Sequence, residues 1–150
     1  MKKLLAMLLT LSMLFALAVG TVTVSAEETR TIVDGMDRSV EIPADVQRIV
    51  CVGVGALRYT CYVGGADRVV GVEDYETKPS MSRLYNYVNF DLFKDLPVTG
   101  TNGEPFVEEI IHVEPQVIVL SAYANQDPDE LSQKTGLSLI HISEPTRPRL

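Results

Sequence analysis

Between Val107 and Leu120 the sequence packs the end of a helix, a hard stop and the start of a buried strand into one short stretch, which few architectures accommodate. Val107, Ile110, Ile111 and Val113 recur at a helical period. Pro115 cannot continue the hydrogen-bond ladder and closes that helix. The unbroken apolar run Val117, Ile118, Val119 and Leu120 then reads as a strand covered on both faces. Such strands belong to parallel sheets flanked by helices, where ligands bind beyond the carboxyl ends of the strands.

The preceding chain fits that frame. Thr31–Val33 and Ser39–Ile42 flank Asp34-Gly35-Met36-Asp37-Arg38, a hairpin with turn chemistry at Asp34-Gly35, and Pro43 ends it. Arg48–Val52 is a continuous apolar strand, Gly53-Val54-Gly55 a tight turn, and Ala56–Val63 a helix closed by Gly64-Gly65. Val69–Val72 is the next strand. A long irregular segment, positions 73–97, with room for one short helix, is followed by Val98-Thr99-Gly100, which leads into the helix ending at Val113. A short helix over Asp127–Lys134 has Asp127 as N-cap before Pro128. The alternation predicts an α/β fold: a three-layer, Rossmann-like lobe with a central parallel sheet, preceded by a β-hairpin.

The two ends read differently. Lys2 and Lys3, the apolar stretch Leu4–Val19 and the small-residue ending Val24-Ser25-Ala26 form a secretory signal over residues 1–26, cleaved after Ala26; an uncleaved anchor is the alternative. No cysteine follows the apolar stretch, so lipid anchoring through a modified cysteine is not expected. At the other end, LSLIHISEPTRP resembles the translation of a transposase adapter used in preparing sequencing libraries, so residues 137–150 are taken as a non-native tail, with a genuine Pro/Arg tail as the alternative. Ile140 and Ile142 nevertheless suit a strand, and by pattern this tail fits the sheet position where the next native strand is due.

Residues 27–136 then suffice for one compact lobe. Of the 13 basic and 20 acidic residues, four basic and one acidic fall in the end segments, leaving 9 against 19 and a net charge near −10. Nucleic acid and anionic membranes are poor partners for such a surface, whereas a cationic ligand is permitted. Cys51 and Cys61 lie in apolar surroundings at a spacing that fits no zinc pattern, and are expected as buried thiols, with a disulfide as the alternative. His112 stands alone near Glu109, no metal site assembles from neighbouring ligands, and no nucleophile stands beside a usable base, so neither a cofactor nor an enzyme is indicated.

Two chemistries compete for the Gly53-Val54-Gly55 turn. A strand, a Gly-x-Gly turn opening a helix, and Glu73 or Asp74 about 20 residues on imitate a dinucleotide-binding fingerprint, but Arg58 occupies the third glycine's place and would obstruct close helix-to-strand packing. An exported Rossmann-like oxidoreductase fragment is the rival function. In the other reading the turn presents its backbone and Arg58 to a ligand cleft at the carboxyl edge of the sheet.

VEIPADVQRIVCVGVGALRYTCYVGGADRVVGVEDYE and FVEEIIHVEPQVIVLSAYA together resemble the N-terminal lobe of class III substrate-binding proteins of ABC importers, which capture ferric siderophores, haem and cobalamin. The resemblance covers Thr29 to Gly136. It departs at Asp37, where the family's hairpin usually has glycine, and in length, since members have two lobes joined by a long helix. It implies an exported, non-enzymatic, monomeric receptor that delivers an iron complex to an ABC permease; cobalamin, haem or an oxyanion such as molybdate are alternative cargoes. It also implies that the ligand is held by the loops carrying Val54, Gly55, Arg58, Glu73, Thr101, Asn102, Ser121 and Tyr123, with Tyr85, Asn86 and Tyr87 beside them. Alternatively Tyr85 and Tyr87 pin the long loop to the lobe, and Arg58 lies on a solvated helix face. Glu108 matches the family's permease-docking glutamate; as an alternative it is a surface carboxylate near a helix N-terminus.

Overall fold

A computed structural model describes residues 28–142; residues 1–27, where a secretory signal over 1–26 is expected, and residues 143–150 lie outside the described residues. Strands β1 (Thr29–Val33) and β2 (Ser39–Pro43) form the antiparallel hairpin. Its turn starts at Asp34-Gly35 as expected, with Asp34 Oδ1 accepting from the Met36 amide at 2.9 Å. Asp37 N–H donates to the Asp34 carbonyl, and the residue in the left-handed region is Asp37 at φ 59°. The chain makes a tight turn over positions 34–37 and uses an aspartate where glycine is free of steric cost.

The apolar runs become the centre of a parallel sheet. β3 (Ile49–Val52) pairs in parallel with β4 (Val69–Glu73) on one side and β7 (Val117–Ser121) on the other. Helix α1 (Ala56–Tyr62) makes the crossover from β3 to β4. The segment expected to be irregular with one short helix holds a 3-10 turn (Asp74–Thr77) and two short helices, α2 (Leu84–Val88) and α3 (Phe90–Phe93). Val98 does not lead directly into a helix as expected. It opens β5 (Val98–Thr101), parallel to β4, and Asn102 and Gly103, at φ 49° and 80°, turn the chain back into β6 (Glu104–Pro105). Both central residues have positive φ, the geometry that makes Asn-Gly a strong hairpin signal.

Helix α4 (Val107–His112) ends one turn before the proline: Glu114, at φ 44°, reverses the chain, and Pro115 begins the descent into β7. Asp127 caps α5 (Pro128–Thr135) as expected, its Oδ1 accepting from the Asp129 and Glu130 amides at 2.9 and 3.0 Å. The start of the tail forms β8 (Ser138–Ile142), the outer parallel neighbour of β7 and the position anticipated from its pattern. The hairpin leans on that outer edge, where the backbone N–H of His141 donates to Asp34 and its carbonyl accepts from Gly35.

The sheet order is β6-β5-β4-β3-β7-β8, with helices on both faces. On one face Ile110, Val113 and Leu131 pack on Val50, Val52, Ile118, Leu120 and Leu139; on the other Ala56, Leu57 and Phe93 pack on Cys51, Val69 and Val72. Full burial of a Val or Leu side chain contributes about 1.5–3 kcal/mol, so these two layers supply the main driving force. Among the described residues no helix is long and apolar enough to cross a membrane.

Candidate functional site

The chain runs outward from β3 through β4 to β5, then returns to the other side of β3 for β7 and β8. The reversal lies between β3 and β7, and the crevice at such a point, beyond the carboxyl ends of the strands, is where open α/β sheets bind ligands. Here it is formed by the turn 53–55 and the segment 121–124. The two backbones approach so closely that a Cβ on Gly53, itself at φ 88°, would lie 2.4 Å from Ser121 Oγ. Any side chain at position 53 would push the two sides apart.

One wall of the crevice is braced from below. Glu73, at the end of β4, is 2% exposed, and its Oε1 accepts from Gly53 N–H at 3.1 Å and from Gly103 N–H at 2.8 Å. Its Oε2 is buried without a hydrogen-bond partner. Gly103 in turn touches the β7 loop: its carbonyl accepts from Asn125 N–H at 3.0 Å, and a Cβ on it would meet the Tyr123 carbonyl oxygen at 2.8 Å.

A second buried carboxylate organises the neighbouring segment. Glu76 Oε1 accepts from the Tyr85 hydroxyl at 2.6 Å and Oε2 from Asn86 Nδ2 at 2.9 Å, while Arg83 Nε lies 3.5 Å from Oε2. Burial raises the Glu76 carboxyl above its ordinary range against the pull of these partners, and burial together with Glu76 holds the Tyr85 phenol well above its own. Arg83 also stacks over Tyr75 at 5.1 Å and donates to the Tyr75 carbonyl. The result is a cleft of about 300 Å³ lined by Val54, Gly55, Arg58 and Tyr62 on one side and Ser82, Arg83, Leu84 and Tyr85 on the other.

Of the residues singled out in the sequence, Val54, Gly55, Arg58 and Tyr85 meet in this cleft. Thr101, Asn102, Ser121 and Tyr123 gather further along the same edge, joined by the contact of Gly103 with 123–125; Ser121 is buried and Tyr123 exposed. Glu73 and Asn86 point inward, Asn86 being fully buried against Glu76, so both sit behind the surface they were expected to form. Tyr87 is exposed on α2, outside the cleft lining. Sequence reasoning missed Tyr62 and Arg83. Tyr62 follows Arg58 by one helical turn and so shares its face, a signal that was available. Arg83 could be recognised only once Glu76 was seen to be buried.

Away from the cleft, Glu108 is exposed in the first turn of α4, and His112 is exposed in its last. Cys51 is buried and Cys61 half-buried, both as free thiols; burial pushes them up to about 12 and about 11, leaving them protonated and unreactive at neutral pH. Among the described residues no group of His, Cys, Asp and Glu is placed to hold a metal ion.

No family model and no curated protein matches the sequence. Solved structures do. The periplasmic catecholate-siderophore binding protein VctP of Vibrio cholerae is 28% identical with a TM-score of 0.56, over 76% of this chain and 37% of its own. A periplasmic solute-binding protein of Veillonella parvula matches with a TM-score of 0.65 at 19% identity, over 79% of this chain and 36% of its own. MolA, the molybdate periplasmic binding protein of an ABC transporter in Haemophilus influenzae, gives 0.62 at 19% identity, over 76% and 34%. The fold is therefore one shared with periplasmic solute-binding proteins, and the chain spans a little over a third of the length of each.

Proposed function

We propose that this chain is the N-terminal lobe of an exported solute-binding protein that captures a ferric siderophore outside the cytoplasmic membrane and delivers it to an ABC permease. The observation that carries the reading is the cleft at the carboxyl edge, where Arg58 and Arg83 stand among Tyr62 and Tyr85. Guanidinium groups beside aromatic rings suit an anionic, aromatic metal chelate. The likeness to a catecholate-siderophore binding protein supports the same cargo, and the likeness to a molybdate-binding protein keeps an oxyanion as the second reading. A second lobe closes the other side of the cleft, residues 1–26 direct export, and residues 137–150 are foreign to the native protein. Glu108, exposed at the start of α4, docks on an arginine of the permease.

The test uses the full-length protein encoded by the source DNA. Titration with ferric tris-catecholate, followed by tyrosine fluorescence, is expected to saturate, and Arg58→Ala to weaken it by about tenfold, the loss of one charge-assisted contact. Saturation by molybdate, haem or cobalamin with no response to the ferric complex would overturn the siderophore assignment. In the same protein Glu108→Ala is expected to leave the titration unchanged and to reduce transport in reconstituted vesicles, because removing an interfacial carboxylate leaves its partner's charge unpaired.

A further inference from the structure

We propose that Glu73 is a positioning residue for the cleft edge: a single buried oxygen that holds the turn after β3 and the turn after β5 in one fixed geometry before any ligand arrives. This rests on the reading of that edge as the binding surface. The two amides it gathers, Gly53 and Gly103, lie far apart in sequence, and each opens onto a segment named above: Val54 and Gly55 on one side, Thr101 and Asn102 on the other.

The arrangement leaves little freedom. Gly53 and Gly103 are themselves buried, so their N–H groups have no water to turn to if the carboxylate is removed. Both are held in the positive-φ region. Both also press against the β7 loop so closely that a Cβ would collide with Ser121 Oγ in one case and the Tyr123 carbonyl in the other. Glu73 thus joins three loops into one plate: two by hydrogen bonds and the third through the glycines those bonds fix. Glu76, three residues on, performs the corresponding task for the opposite wall through Tyr85, Asn86 and Arg83, and does not contact either glycine amide.

Only Oε1 bridges the two amides; Oε2 has no partner. Glutamine can keep the bridging oxygen, whereas leucine cannot. The 150-residue chain is labelled with nitrogen-15 and its amide hydrogen exchange compared in wild type, Glu73→Gln, Glu73→Leu and Glu76→Gln. Glu73→Leu is expected to accelerate exchange at Gly53 and Gly103 together by about tenfold or more beyond any change at the core amides of Val50 and Ile118, as two amides lose one acceptor. Glu73→Gln should restore most of the protection, and Glu76→Gln should leave both glycines unchanged. Acceleration at only one glycine, or equal acceleration at the core amides, would overturn the proposal. Should Glu73→Leu fail to fold, the wild type decides: through-hydrogen-bond scalar coupling from both glycine nitrogens to the Glu73 carboxyl carbon is expected, and its absence at either glycine refutes the brace. No ligand enters these measurements, so their failure and the failure of the solute-binding reading are separate results.

Discussion

Single side chains carry two of this fold's local conflicts. Asp37 occupies a left-handed position on an exposed turn, where a Cβ costs on the order of 1 kcal/mol. Asp37→Gly is therefore expected to stabilise the chain by about 0.5–1 kcal/mol, read from the urea midpoint at unchanged slope. Asp34, three residues earlier, is a conflict resolved. Burial alone would raise its carboxyl, but the Arg38 guanidinium and the amides of Met36, Arg38 and His141 outweigh that and bring it to about 2. A group depressed on folding contributes stability above its unfolded value, near 4, and loses it as pH falls through its folded value. Urea unfolding of wild type and Asp34→Asn should differ by about 2 kcal/mol at pH 6, and the difference should close between about pH 4 and pH 2. A gap independent of pH would show that Asp34 stays neutral or solvated.

At the scale of elements, legibility followed the hydrophobic signal. β3, β4 and β7 were readable because continuous apolar runs have one destination in a sheet covered on both faces, and α5 because Asp127-Pro128 sets a cap and a first turn. β5 was not. Val98-Thr99-Gly100-Thr101 has no apolar run, and what makes it a strand is long-range: parallel pairing with β4, and an approach in which a Cβ on Gly71 would meet Thr99 Cγ2 at 2.5 Å. The Asn102-Gly103 reversal was signalled locally, and its meaning emerged only with β6 in place. The positions of the site loops followed from topology, but the inward turn of Glu73 depended on Gly103, 30 residues further on. The outermost strand offers a quantitative check. Leu139 is 2% exposed in the core layer beneath α5, so Leu139→Ala should destabilise by about 2–4 kcal/mol in thermal or urea unfolding. A change near zero would mean that β8 does not pack as described.

Over the whole molecule, the two-lobe reading proposed above makes the described residues one half of a binding site. A cleft of about 300 Å³ is at the small end for a ligand site, and affinity depends on contacts that surround the ligand and exclude water. The 150-residue chain is accordingly expected to bind ferric tris-catecholate no more tightly than about 100 μM in equilibrium dialysis, some 5–6 kcal/mol of binding free energy. Sub-micromolar affinity would show that the described lobe holds its ligand unaided. The place taken by β8 has a different consequence. Its backbone is held by β7 on one side and, at His141, by the hairpin tip on the other, while Leu137 and Leu139 pack into one core layer, Ile142 into the other, and Ser138 donates to the Glu41 carbonyl. An edge position of this kind tests its occupant by shape as well as by backbone, since the strand must pair with β7 while delivering apolar side chains to the layers on either face.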